Sequence, residues 1–207
     1  MHPFVLATNN VNKLAEMQQI TALLGWEEHL SWHIPQALGI RFEVAETATT
    51  YLGNARLKAH ALRALLEQGF WVLADDSGLE VDALGGQPGV LSARFHLRSP
   101  GGDGCSALLQ TLHAFPEKKQ RSARFRCVLV VLSPQGEYVF EGVCGGHIAS
   151  EKRGDRGFGF DPIFIPGGER RTFAEMSPEE KHSMSHRGMA LQALIAWLGS
   201  SSSRTSC

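Results

Sequence analysis

From Cys127 to Leu132 the chain reads Cys-Val-Leu-Val-Val-Leu, an unbroken apolar run that needs cover on both faces. It predicts a central strand over residues 125 to 132. The run ends at Ser133-Pro134-Gln135-Gly136, whose hairpin chemistry sends Tyr138 to Val143 back as an antiparallel neighbour. A sheet holding such a hairpin is not purely doubly wound. Elsewhere strands and helices interleave. Residues 3 to 8 read as a short strand, and Leu14, Met17, Ile20 and Leu24 then fall at helical spacing up to a stop at Gly25. Thr49 and Thr50 offer a cap for a second helix with the stripe Leu52, Ala55, Ala59, Leu62 and Leu66, ending near Gly69. Asn54 and Lys58 are neighbours on another face of that helix. Short strands are expected at 71 to 75 and 79 to 84, and helices near 103 to 115 and over most of 177 to 198. The expected class is α/β, a long mixed β-sheet flanked by helices, with residues 1 to 199 as one domain and 200 to 207 a polar, frayed tail.

Charge narrows the functions open to such a fold. Twenty Lys and Arg against 21 Asp and Glu leave a formal net charge of -1, which argues against coating nucleic acid or an anionic membrane through bulk charge. An anion must be met locally. Cys105, Cys127, Cys144 and Cys207 have no paired spacing, so neither zinc nor a disulfide framework is expected, and Cys127 reads as a small hydrophobe. No stretch reaches membrane-spanning length and the start lacks a basic region followed by a long apolar one, so the cytoplasm is the expected compartment.

Five polar groupings carry possible chemistry. In Trp71 to Leu79, Asp75 and Asp76 stand side by side on a strand entering a Ser-Gly turn. Strand alternation sends them to opposite faces, one to a cleft and one to the support beneath. In Thr8-Asn9-Asn10-Val11-Asn12-Lys13 a strand turns into a helix, aiming backbone N–H groups and the positive end of the helix dipole at one point. Lys13 opposes that dipole unless an anion sits between them. Glu43, Glu46, Asn54 and Lys58 would form an oxygen-rich magnesium site if they approached the two aspartates. Finally, Arg156-Gly157-Phe158-Gly159-Phe160-Asp161-Pro162 offers an aromatic face and close backbone approach, and Lys181 to Gly188 adds cationic donors around a helix start at Ser185. Each has an ordinary alternative: a solvated turn, a solvated lysine, an acidic surface loop, a core-lining turn or a solvated helix face.

Taken together and in order, L-A-T-N-N-x-x-K, E-T with N-A-x-x-K-A, D-D-S-G-L with P-G-V-x-S-A-R, G-F-G-F-D-P-I-F, and E-K with S-H-R-G resemble the inosine triphosphate pyrophosphatase family. The resemblance covers Val5 to about Leu198. It implies hydrolysis of ITP, dITP and XTP to the monophosphate and pyrophosphate with Mg2+, in a homodimer whose subunits have two lobes around a central cleft. It also implies that Thr8, Asn9, Asn10, Asn12 and Lys13 hold the triphosphate, that Asp76 is the general base, and that Ser77 touches the substrate. Phe158, Gly159, Phe160 and Asp161 would line the base pocket, completed by Lys181, His186 and Arg187; Glu46 with Asp76 would hold the metal, and Lys58 would help neutralise pyrophosphate. The chain departs from the family at Ala45 and Gly53, where relatives carry glutamates, so Glu43 is a possible substitute for Glu46; His182 replaces an asparagine.

The implied chemistry is physically coherent. Water attacks the α-phosphate with help from a carboxylate, cations meet the leaving pyrophosphate, and donors facing a 6-oxo group are left unpaired by adenine. Two other readings remain at this stage: a Maf-like pyrophosphatase for modified pyrimidine or guanine nucleotides, and an RNA-binding module using Arg121, Arg124 and Arg126.

Overall fold

In the computed structural model, which describes residues 2–67, 69–98 and 103–202, six strands form one sheet in the order β2-β1-β3-β4-β5-β6. The strands are β1 (His2–Leu6), β2 (Leu30–His33), β3 (Trp71–Val81), β4 (Ser122–Ser133), β5 (Gly136–Ile148) and β6 (Phe164–Pro166). The helices are α1 (Val11–Leu23), α2 (Tyr51–Arg63), α3 (Gly104–Thr111), α4 (Pro178–Met184) and α5 (His186–Ser202). β1 pairs in parallel with both β2 and β3, while β5 and β6 are antiparallel, so the sheet is mixed as expected. β4 and β5 are neighbours joined across Pro134 and Gln135, the hairpin read from the sequence.

The chain divides into two compact units. The first comprises Met1–Asp76, Cys127–Gly142 and Arg187–Cys207; the second comprises Ser77–Arg126 and Val143–His186. In the first, period-two alternation sorts strand residues between two apolar layers. Phe4, Leu6, Leu73, Cys127, Leu129 and Val131 pack with Met17 and Ile20 of α1 and with Leu191 and Leu194 of α5. Val5, Ala7, Val72, Ala74, Val130 and Leu132 pack on the other side with Ala55, Ala59 and Leu62 of α2. The second unit has its own core, in which Leu79, Val81, Phe125, Phe160, Phe164 and Phe173 meet Leu108 of α3.

Three expectations are corrected. The two strands predicted around Asp75 to Gly78 are one continuous strand of 11 residues. Turn-forming Asp, Ser and Gly stay extended because Leu79 and Val81 beyond them continue into a buried core. α2 ends at Arg63 rather than near Gly69. α5 runs through Ser202, so the tail expected from 200 is helical that far, and 203–207 lie outside the described residues. No helix among the described residues is long and apolar enough to cross a membrane.

Candidate active site

The adjacent aspartates inherit the alternation of β3. Asp75 follows Leu73 to the α1 and α5 layer, and Asp76 follows Ala74 to the α2 layer. Both are nearly sealed from solvent, 6% and 5% exposed. A buried carboxylate must be paired. Asp75 is held by cations on both oxygens. Arg187, near the start of α5, donates from Nε and Nη2 to Oδ2 at 3.2 and 3.0 Å, and Lys13 of α1 pairs with Oδ1. The Cys127 thiol also donates to Oδ2 at 3.3 Å, and Arg187 Nη1 pairs with Glu16. Burial alone pushes the Asp75 carboxyl up, but Arg187, Lys13 and Lys58 outweigh it and hold it well below its ordinary 3.8.

Asp76 is built differently. Lys58 Nζ donates to its Oδ1 at 3.1 Å and Asn54 Nδ2 to its Oδ2 at 3.3 Å. Asn54, fully buried, is itself fixed because its Oδ1 accepts from Ala48 N–H at 2.9 Å. Burial, with the Glu46 charge adding to it, pushes Asp76 above 3.8 despite Lys58 and Lys13. Neighbouring carboxyls on one strand thus have opposite tendencies: Asp75 is a locked anion, and Asp76 accepts a proton more readily. Lys58 also donates to Glu46 Oε1 at 2.7 Å and to the Asp75 carbonyl at 2.8 Å. Burial lowers the Lys58 affinity for its proton, yet Asp76, Asp75 and Glu46 together raise it above 10.5.

Beside these groups β1 ends and α1 begins. Asn10 caps α1, its side chain accepting from Asn12 N–H at 2.9 Å, while Asn9 is tied to the Phe42 carbonyl at 2.6 Å and Thr8 accepts from Asn10 N–H at 3.1 Å. Asn9, Asn10 and Asn12 remain exposed at the helix's positive end. Lys13, which the dipole disfavours there, has the anion its position calls for in Asp75.

In the second unit, Asp161 organises the Gly157–Asp161 turn. Its Oδ2 accepts from Phe158 N–H at 2.8 Å and from Lys181 Nζ at 2.6 Å. Gly157 has φ 71°, and a Cβ there would lie 2.1 Å from Asp161 Oδ2, so no other residue fits this turn without displacing that carboxylate. Lys181 Nζ also lies 5.3 Å from the centre of the half-buried Phe158 ring.

Residues 4–197 match the model of the Ham1 family. The chain belongs to that family. The dITP/XTP pyrophosphatase of Opitutus terrae is 43% identical over 196 residues, covering 93% of this chain and 96% of that protein. The dITP/XTP pyrophosphatase of a Nostoc species is 44% identical over 193 residues, covering 92% and 91%. Among solved structures, the Staphylococcus aureus Ham1 protein superposes with a TM-score of 0.79 at 35% identity, covering 96% of this chain and 99% of that one. The nucleoside-triphosphatase / dITP/XTP pyrophosphatase of Mycobacterium abscessus gives 0.69 at 39% identity, covering 95% and 99%.

In this Ham1-family chain, Lys13, Glu46, Lys58, Asp76 and Arg187 gather in one network of the first unit. Glu43 does not join them; its side chain is 74% exposed and pairs with Arg41 at 3.5 Å. Phe158, Asp161 and Lys181 gather in the second unit, where Gly159 offers its carbonyl to the Cys105 thiol at 3.1 Å. Ser77, half-buried on β3, opens that unit. Phe160 packs edge-on against Phe95, and His186 stacks on Phe125 with centroids 4.7 Å apart, so both rings lie in the core. Arg187, expected to help complete the base pocket, is 2% exposed and directs Nε and Nη2 at Asp75 and Nη1 at Glu16. A sheet-facing carboxylate and a helix acid claim it first. Sequence reasoning did not single out Glu16, one acid among the polar residues of α1, or the polar role of Cys127, which sits in an apolar run. The arginines of the RNA-binding reading are also committed. Arg121 donates to the carbonyls of Leu112, Phe115, Ile148 and Ala149, and Arg124 and Arg126 pair with Glu80 at 2.6 and 3.0 Å. Among the described residues no group of three or more His, Cys, Asp or Glu gathers as a metal site.

Proposed function

We propose that this chain hydrolyses the noncanonical purine nucleotides ITP, dITP and XTP to the monophosphate and pyrophosphate, by water attack on the α-phosphate. The observation that carries this reading is Asp76: a buried carboxyl with raised proton affinity, oriented by Lys58 and Asn54, on a strand whose neighbouring acid is neutralised. A base of that kind takes a proton from an attacking water, an effect worth about 10²–10⁴ in rate. Thr8, Asn9, Asn10 and Asn12 bind the triphosphate through the open start of α1, with Lys13 supplying positive charge. Arg187 acts through Asp75, keeping that carboxylate ionised beneath Lys13.

The donor set fits magnesium. Glu46 Oε1, Asp76 Oδ1 and the Asp75 carbonyl converge on one cation, the Lys58 ammonium, at 2.7, 3.1 and 2.8 Å. Magnesium characteristically takes one or two carboxylates and leaves its other positions to water and phosphate. Bound there with Glu46 and Asp76, it would supply charge against the departing pyrophosphate. Purine recognition we assign to the Phe158 face, the Gly159 backbone, Asp161 and Lys181, with Phe160 and His186 supporting them from the core and Ser77 touching the substrate. A turn that donates to a 6-oxo group leaves its donors unpaired with adenine, which disfavours ATP. The family resemblance further supports a homodimer and a cytoplasmic enzyme, without nucleic acid or membrane as partner.

Pyrophosphate release from ITP, XTP, GTP, ATP and dUTP, each with and without magnesium, tests the assignment. Magnesium-dependent turnover of ITP and XTP far above ATP and dUTP is expected. Preference for dUTP would move the chain to the Maf-like reading, and absence of turnover with every purine would remove the enzyme assignment. Light scattering at micromolar concentration tests the dimer.

A further inference from the structure

Lys58 is the cation at the centre of the oxygen set just described, and its ammonium is fully committed. Its three N–H donors have three acceptors: Glu46 Oε1, Asp76 Oδ1 and the Asp75 carbonyl. The residue is 7% exposed, on the buried face of α2. An ammonium with two carboxylate oxygens and one carbonyl around it satisfies the same hard oxygen donors that a magnesium ion uses. A divalent ion bound to Glu46 and Asp76 would share those oxygens with a second positive charge a few ångströms away, where repulsion is strong in a site this shielded.

We infer that Lys58 is a built-in stand-in for the metal: it holds Glu46 and Asp76 together before metal and nucleotide arrive, and must release both carboxylates when a divalent cation binds. The inference rests on the magnesium-dependent reading above and adds an exchange to it. It explains how two carboxylates on separate elements, one on a loop and one on β3, stand close together: the ammonium between them shields each from the other's charge. It also gives Lys58 a second role. Once released, its three donors are free to meet a phosphate oxygen, so metal loading and phosphate binding favour each other through one side chain.

The test is Mn2+ binding, counted from the electron paramagnetic resonance signal of free Mn2+, without nucleotide. Lys58→Met and Lys58→Gln remove the competitor and leave both carboxylates. Each should bind Mn2+ about tenfold tighter than wild type, because affinity for hard cations follows the uncompensated ligand charge. Adding Glu46→Gln to either variant should abolish the gain. Equal or weaker binding in variants shown by circular dichroism to be folded overturns the inference. The wild-type chain answers the same question without substitution: with lysines labelled at 15Nζ, saturating Mg2+ should shift the Lys58 ammonium resonance and hasten its proton exchange. An unchanged resonance in metal-bound protein would refute the exchange. Pyrophosphate release from ITP is a separate readout: tighter Mn2+ binding by the variants alongside an inactive wild type would remove the enzyme reading while the exchange stood.

Discussion

Asp75 and Asp76 differ by one position and should fail in opposite ways. Asp76 has a raised carboxyl pKa, so its contribution to stability is complete below 3.8 and is lost as pH rises through its native value. At neutral pH its ionised form therefore costs the fold something that an amide does not. Asp76→Asn should lose at least a hundredfold in kcat while melting no lower than wild type, read by steady-state kinetics and calorimetry side by side. For Asp75 the sign reverses. Its lowered value means a contribution present above 3.8 that disappears as pH falls through the native value. Asp75→Asn removes a charged partner from the buried Arg187 guanidinium and should cost about 3–5 kcal/mol near neutrality, the usual penalty for breaking a buried ion pair. The gap in melting temperature between this variant and wild type should close on acidification; a gap that stays constant down to pH 2 would refute the assignment. Alternation along a strand made the two faces legible in the sequence. Which face held which partner was not, because Arg187 lies 112 positions from Asp75 and Lys58 lies 18 from Asp76.

At the scale of elements, legibility followed the length of the periodic pattern. The 13-residue helices α1 and α2 carry several turns of apolar repeat and a side-chain cap each, so their existence and starts could be read. β2 and β6 have four and three residues, too few for alternation to register. β3 misled for another reason: its middle is polar because its side chains are ion-paired on both faces, a tertiary fact that overrides the turn preference of Asp-Ser-Gly. The Gly157–Asp161 turn is the converse, a local constraint visible in composition alone. Gly157→Ala places a methyl on the Asp161 carboxylate in a left-handed backbone, so Lys181 and Phe158 lose their common anchor. The variant should be destabilised by about 1–2 kcal/mol from the backbone term. If this turn holds the base, KM for ITP should rise with kcat little changed, because binding rather than chemistry is lost. A fall in kcat at unchanged KM would place the turn elsewhere in the reaction.

Over the whole molecule, the near-neutral charge read from the sequence has a structural counterpart in how its cations are distributed. The net charge of -1 hides 20 cationic side chains, and those once considered for RNA are spent internally. Arg124 and Arg126 stand on β4 with Glu80 of β3 between them, and Asp82 takes a further bond from Arg124 at 3.1 Å. Arg121 is 7% exposed and caps carbonyls. Phosphate affinity of the sequence-independent kind comes from cations that release counterions, and a cation already facing a carboxylate contributes little of it. Fluorescence anisotropy with a labelled single-stranded RNA at 150 mM salt should therefore show no saturation below about 0.1 mM protein, weaker than ordinary non-specific binders. Glu80→Gln supplies the control, since it removes the carboxylate that Arg124 and Arg126 share: binding should strengthen and decline steeply with added salt. Micromolar RNA binding by the wild-type chain, insensitive to Glu80→Gln, would restore the binding-module reading and show that the cations on β4 are not where its affinity lies.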